Sequence, residues 1–304
     1  FNVAGKKNLP MEKDSRWLST PYVHENKFLS GFSHVNLSGV GCPDLGVLLA
    51  MPISGSLQTD PDSYAATYSQ EKASPGYYES FIDRYGIRVA LTASTRGGVS
   101  AYSFPEGPAH ILLNLGLGLT NEQGASVKQV SETEIEGMRM LGSFCYYKPE
   151  EAYPVYFVAQ ISEDSEKQGV WRTPSRQDGV EAQWMGYNGK TRLMPGYKQE
   201  IVGDSIGAYF SFDFKKPTTV ELRIGVSYVS IENARDNLEK EVAGKSFKEV
   251  RYEAEQKWED ILSVVKVKGG KPGAKQIFYT ALYHTQMHPN ILNDANGAYP
   301  AMGN

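Results

Sequence analysis

At Ser230 the spacing of apolar residues changes from every second position to every third or fourth, and this switch constrains the fold more than any other feature. Before it, from about residue 20, short strand-like runs alternate with turn signals. In Ile87–Ala93, for example, Ile87, Val89 and Leu91 alternate with Arg88, Ala90 and Thr92, the pattern of a strand with one buried face. Residues 155–161 and 208–214 read alike, whereas 110–115 is nearly all apolar and predicts burial on both faces. Turns are marked by Arg96-Gly-Gly98, Pro105-Glu-Gly107, Asn188-Gly189 and Lys215-Lys-Pro217, with Asn188-Gly189 suited to a type I′ hairpin. Many strands without an intervening helix predict a mainly β domain, an antiparallel β-sandwich.

After Ser230, Ile231, Ala234, Leu238 and Val242 recur at helical spacing, and Gly244 supplies a stop. Ser246-Phe-Lys-Glu249 is a capping box that predicts a second helix, with Val250, Ala254, Trp258, Ile261 and Leu262 along one face. Lys268-Gly-Gly-Lys-Pro-Gly273 interrupts it. A third helix is predicted from about residue 275 to 287, ended by Pro289.

The 304 residues suffice for one large β domain or two ordinary ones. A net charge of −4 without a basic stripe argues against a nucleic-acid partner. No apolar run is long enough to predict a membrane span. The two cysteines, Cys42 and Cys145, have no Cys-x-x-Cys context and are read as free thiols. No leader of the basic and apolar kind is visible at the start of the sequence.

Candidate chemistry concentrates in residues 31–55. Ser33, His34, Asn36, Ser38, Cys42 and Asp44 lie among glycines just ahead of the apolar run 47–51, as polar groups on a loop feeding a buried strand. The same residues also suit a structural loop that satisfies its own backbone. Their order is specific. Gly31-Phe-Ser-His34, Leu37-Ser-Gly39, Gly41-Cys-Pro-Asp44 and Met51-Pro-Ile-Ser-Gly55 resemble the N-terminal signature of glycoside hydrolase family 92, the calcium-dependent exo-acting α-mannosidases. Ser74-Pro-Gly-Tyr-Tyr78, Tyr102-Ser-Phe-Pro105, His110-Ile-Leu-Leu-Asn-Leu115, Ser230-Ile-Glu-Asn-Ala234 and Phe278-Tyr-Thr-Ala-Leu-Tyr-His-Thr285 continue the resemblance in order along nearly the whole chain.

The resemblance implies a β-sandwich over residues 1–228, a helical linker over 229–274, and the first helix of a truncated (α/α)6 catalytic barrel over 275–304. It implies hydrolysis of terminal α-mannosides with inversion, which needs an acid and a base roughly 6.5–9.5 Å apart. In the family both carboxylates and most calcium ligands belong to the barrel, so no catalytic residue and no metal ligand is assigned in this chain, which alone is expected to be inactive. The implied partners are a mannose-containing glycan and the chain's own C-terminal catalytic domain, and the implied location is secreted, periplasmic or at the cell surface.

His34, Cys42 and Asp44 are the candidate substrate-binding residues. His34 either hydrogen-bonds a sugar hydroxyl or caps a buried loop. Asp44 either binds hydroxyls or caps the turn before Leu45. At Cys42 a small thiol replaces the Trp that α-1,2-cleaving members tend to carry, which argues against α-1,2 preference. Arg96 reads as a solvated turn charge, Trp171 and Trp184 as core rather than sugar platforms, and His284 with His288 as helix packing rather than a metal pair. Asp294-Ala-Asn-Gly297-Ala-Tyr299 follows the family pattern, but Pro300-Ala-Met-Gly303 replaces its basic step and weakens a pocket role for Asp294. The competing reading is a non-catalytic carbohydrate-binding or structural β-sandwich.

Overall fold

The computed structural model describes residues 27–36, 45–116, 122–141, 152–172, 192–195, 200–203, 206–287 and 291–301. In chain order the first elements are β1 (Phe28–Leu29), β2 (Phe32–Asn36), β3 (Leu45–Ser54), α1 (Pro61–Tyr64), β4 (Ala66–Ser74) and β5 (Tyr77–Ile82). Next come β6 (Ile87–Ala93), β7 (Gly97–Phe104), β8 (Gly107–Asn114), β9 (Glu122–Ser131), β10 (Glu134–Leu141) and β11 (Tyr153–Ile161). The β region closes with β12 (Lys167–Arg172), β13 (Arg192–Pro195), β14 (Glu200–Gly203), β15 (Ile206–Phe214) and β16 (Thr218–Ser227). Three helices follow: α2 (Ile231–Glu241), α3 (Phe247–Leu262) and α4 (Ala274–Thr285). The element types match the change of period at Ser230.

The strands form two antiparallel sheets, ordered β1-β4-β5-β6-β7-β16-β11-β10-β9-β14 and β13-β12-β15-β8-β3-β2. Their inner faces share one core that includes Ile53, Tyr64, Tyr102, Phe104, Ile111, Trp171 and Phe210. β8 lies between β15 and β3, and residues 110–115 are all buried, as the unbroken apolar run predicts. β6 departs from simple alternation: Ile87 and Val89 are buried, but so is Thr92, while Leu91 is only half-buried. The cause lies on the other face of the sheet, where α3 packs against β6 and the Thr92 hydroxyl donates to the Gly76 carbonyl at 2.8 Å.

α2 lies directly on β16. Gly225 makes that approach possible, because a Cβ there would stand 2.3 Å from the Ala234 carbonyl oxygen. Ala234, Leu238 and Val242 join Val99, Val158 and Val250 in a second core between this helix and the large sheet. The Ser230 hydroxyl caps α2 by accepting from the Asn233 amide, and the expected capping box starts α3 at Ser246 and Glu249. The predicted apolar face of α3 is buried only at Val250 and Ala254, and Ile261 is 40% exposed. α4 begins and ends slightly earlier than its periodicity suggests and has no buried residue.

Candidate functional site: the corner beside His34

The stretch read as a loop over 31–46 is partly a hairpin, since β2 pairs with β3 through Phe32–Ala50, His34–Val47 and Asn36–Leu45. The register slips between Phe32 and His34, and two non-glycine residues take left-handed backbone, Val35 at φ 56° and Leu48 at φ 53°. For a β-branched residue such as Val35 this conformation is costly. The irregularity turns the Leu48 carbonyl toward the His34 ring, 3.0 Å from Nδ1. A carbonyl can only accept, so Nδ1 carries the proton. Burial lowers the His34 pKa, against a smaller opposing effect of that hydrogen bond. The ring is therefore neutral at pH 7, and Nε2 is left as an acceptor.

His34 lies against β7 at Gly98, where a Cβ would approach its Cδ2 to 3.0 Å. Around it Val35, Leu48, Leu115, Arg139, Val155, Phe157 and Val226 line a crevice of about 10 Å³. That space suits a water, not a hexose. Val35 also packs with Leu141, Val155, Tyr153 and Tyr228. The beginnings of β7 and β11 and the ends of β2, β10 and β16 thus share one corner of the sandwich.

Arg96 reaches this corner too, and the structure overturns its reading as a solvated turn charge. Its side chain is 19% exposed and its Nη1 lies 2.7 Å from Glu241 Oε1. The Arg96 backbone amide donates to Glu241 Oε2 at 2.7 Å, and Nε donates to the Asn293 carbonyl at 2.6 Å. Burial opposes the charge on Glu241, but the Ser94 hydroxyl and Arg96 outweigh it and hold this carboxyl below the usual range.

Beside Arg96, Asp294 is 3% exposed. Its Oδ2 accepts from Ser227 Oγ at 2.7 Å and Asn233 Nδ2 at 2.8 Å, and its Oδ1 from Asn237 Nδ2 at 2.7 Å. The remaining candidates sit elsewhere. Trp171 is fully buried and offers no face to a sugar. His284 stacks near Tyr283 on α4. Cys42, Asp44, Cys145, Trp184, His288 and the Asn188-Gly189 turn lie outside the described residues.

Calcium takes six to eight oxygen ligands. Among the described residues no group of three or more His, Cys, Asp or Glu side chains comes together to hold a metal. The Asp294 oxygens already face N–H and O–H donors. The described residues therefore do not fit a calcium site.

This corner joins a polar hairpin of a β-sandwich to a helical segment, the arrangement of a glycosidase accessory domain meeting its catalytic domain. Residues 7–227 match the glycosyl hydrolase family 92 N-terminal domain and residues 233–304 match the family 92 catalytic domain. The chain belongs to glycoside hydrolase family 92. It is 28% identical to the family 92 α-mannosidase BT3965 of Bacteroides thetaiotaomicron, with a TM-score of 0.78 over 94% of this chain and 38% of that one. The inverting family 92 mannosidase BT2199 of the same organism shares the fold at 22% identity and a TM-score of 0.71, over 91% of this chain and 35% of that one. An uncharacterized secreted glycosidase of Arthroderma benhamiae is 24% identical over 90% of this chain and 37% of its own length. The chain thus spans well under half the length of these relatives. No helix among the described residues is long and apolar enough to cross a membrane.

Proposed function

We propose that this chain is the N-terminal portion of a calcium-dependent, inverting exo-α-mannosidase that trims terminal mannose from glycans. In this reading residues 1–228 form the sandwich, 229–274 link it, and 275–304 begin the (α/α)6 catalytic domain. The sandwich walls one side of the sugar pocket, and the acid, the base and the calcium ligands come from the rest of the catalytic domain. The protein acts outside the cytoplasm, as the secreted relative does.

The observation that carries the reading is His34. A strained hairpin, a carbonyl on Nδ1 and a glycine under the ring hold a neutral imidazole with its acceptor Nε2 free to take a sugar hydroxyl. Cys42 and Asp44 follow on the same hairpin and complete this wall. The thiol at 42 leaves room for a leaving group other than an α-1,2-linked mannose.

The test is to determine the gene sequence downstream of codon 304 and to assay the complete product against aryl and disaccharide α-mannosides, with calcium and with chelator. We expect turnover that chelation abolishes, and none from the 304-residue chain under either condition. In the complete enzyme, Cys42→Trp should shift preference toward α-1,2 linkages. A stop codon after residue 304, or hydrolysis by the 304-residue chain itself, would overturn the assignment.

A further inference from the structure

We infer that Asp294 is a positioning residue that pins the loop after α4 to the sandwich, setting it as a second wall beside the His34 crevice. The consequence for substrate rests on the mannosidase reading above; the pin itself does not. Both carboxylate oxygens are spent on sandwich and linker donors. Ser227 closes β16, while Asn233 and Asn237 lie one turn apart on the inner side of α2. Ser227 is a hub, because its hydroxyl also accepts from the Val229 and Ser230 amides where the chain turns into α2.

The loop is closed on itself around Asp294: its amide donates to the Ala298 carbonyl at 2.7 Å, and the Gly297 amide donates to its own carbonyl at 2.9 Å. Two further bonds tie the loop to α2, the Ala295 amide to Asn237 Oδ1 at 2.8 Å and Asn296 Nδ2 to Asn233 Oδ1 at 3.3 Å. Arg96 holds the Asn293 carbonyl from the opposite side.

Proximity to His34 follows from the strands. His34 packs on Gly98, two residues beyond Arg96, and the crevice wall Val226 precedes Ser227. A buried carboxylate held only by neutral donors is expensive unless every lone pair is used. At Asp294 that expense secures the loop, which carries Tyr299, 71% exposed, one residue past Ala298.

Asp294→Asn keeps the shape but turns an amide toward at least one donor. Asn233→Ala removes one donor while favouring the helix that carries it. Amide hydrogen exchange on the 304-residue chain should show residues 293–298 exchanging at least about tenfold faster in Asp294→Asn and about threefold faster in Asn233→Ala, with β7 and β16 unchanged. Uniform acceleration through β7 and β16, or no change in the loop, overturns the pin.

In the complete enzyme Asp294→Asn should raise KM for an aryl α-mannoside at least about threefold while kcat changes less than about twofold. A loosened loop with unchanged KM overturns its place in the pocket wall. No turnover by the wild-type enzyme defeats the mannosidase reading and leaves the pin to the exchange result.

Discussion

The sandwich and α4 solve the problem of apolar surface in opposite ways. In the sandwich both sheets turn large side chains onto one another, and Trp171, Tyr102 and Phe104 are essentially lost to solvent. In α4 none of twelve residues is buried, Ile277 is 71% exposed, and the helix leans on α3 chiefly through the Trp258–Tyr283 contact, with ring centroids 4.6 Å apart. A closed core makes the β region self-sufficient. α4 carries apolar side chains whose burial the described residues do not provide, which agrees with the proposal that it opens a larger helical domain.

The contrast can be broken first at its strongest point. Trp171→Ala opens a hole in the sandwich core and should cost about 3–5 kcal/mol in denaturant unfolding. A loss below about 1 kcal/mol would show that the core is not shared between the sheets as described.

An intermediate effect concerns pH. His34 on β2 and His110 on β8 both have pKa values lowered by burial, with backbone hydrogen bonds opposing more weakly. Between the depressed folded values and the ordinary 6.5 the unfolded chain binds more protons. Sandwich stability should therefore be full above pH 6.5 and fall as pH drops through that window. His110→Gln should flatten part of the slope in a melting series from pH 8 to pH 5, and a flat wild-type profile would sink the account.

The smallest effect belongs to α4. Ile277→Ser should change stability by no more than about 0.5 kcal/mol in this chain. A loss comparable to a core substitution would mean that α4 is covered after all.

Much of the architecture was legible because it depends on period and capping, which are local. The change at Ser230, the Ser246 capping box and the doubly buried run at 110–115 all needed only neighbouring residues. The corner was not legible. Arg96 looks solvated because its partner Glu241 lies 145 positions away. Val35 and Leu48 adopt a backbone that their side chains disfavour, so propensity argues against the geometry that aims His34. Gly98 reads as a turn glycine and serves instead as the floor beneath an imidazole. Asp294 was visible as part of a motif, but its partners Ser227, Asn233 and Asn237 come from 57 to 67 positions earlier.

That separation in sequence also sets an order of events during synthesis. Arg96, Ser227, Asn233, Asn237 and Glu241 all leave the ribosome before Asn293 does, and domains fold largely as they emerge. The receptor for the Asp294 loop can thus be finished before the loop is made. The first catalytic-domain loop then arrives at a template already built by the accessory domain, so the sandwich acts as an internal assembly jig for the helices that follow it.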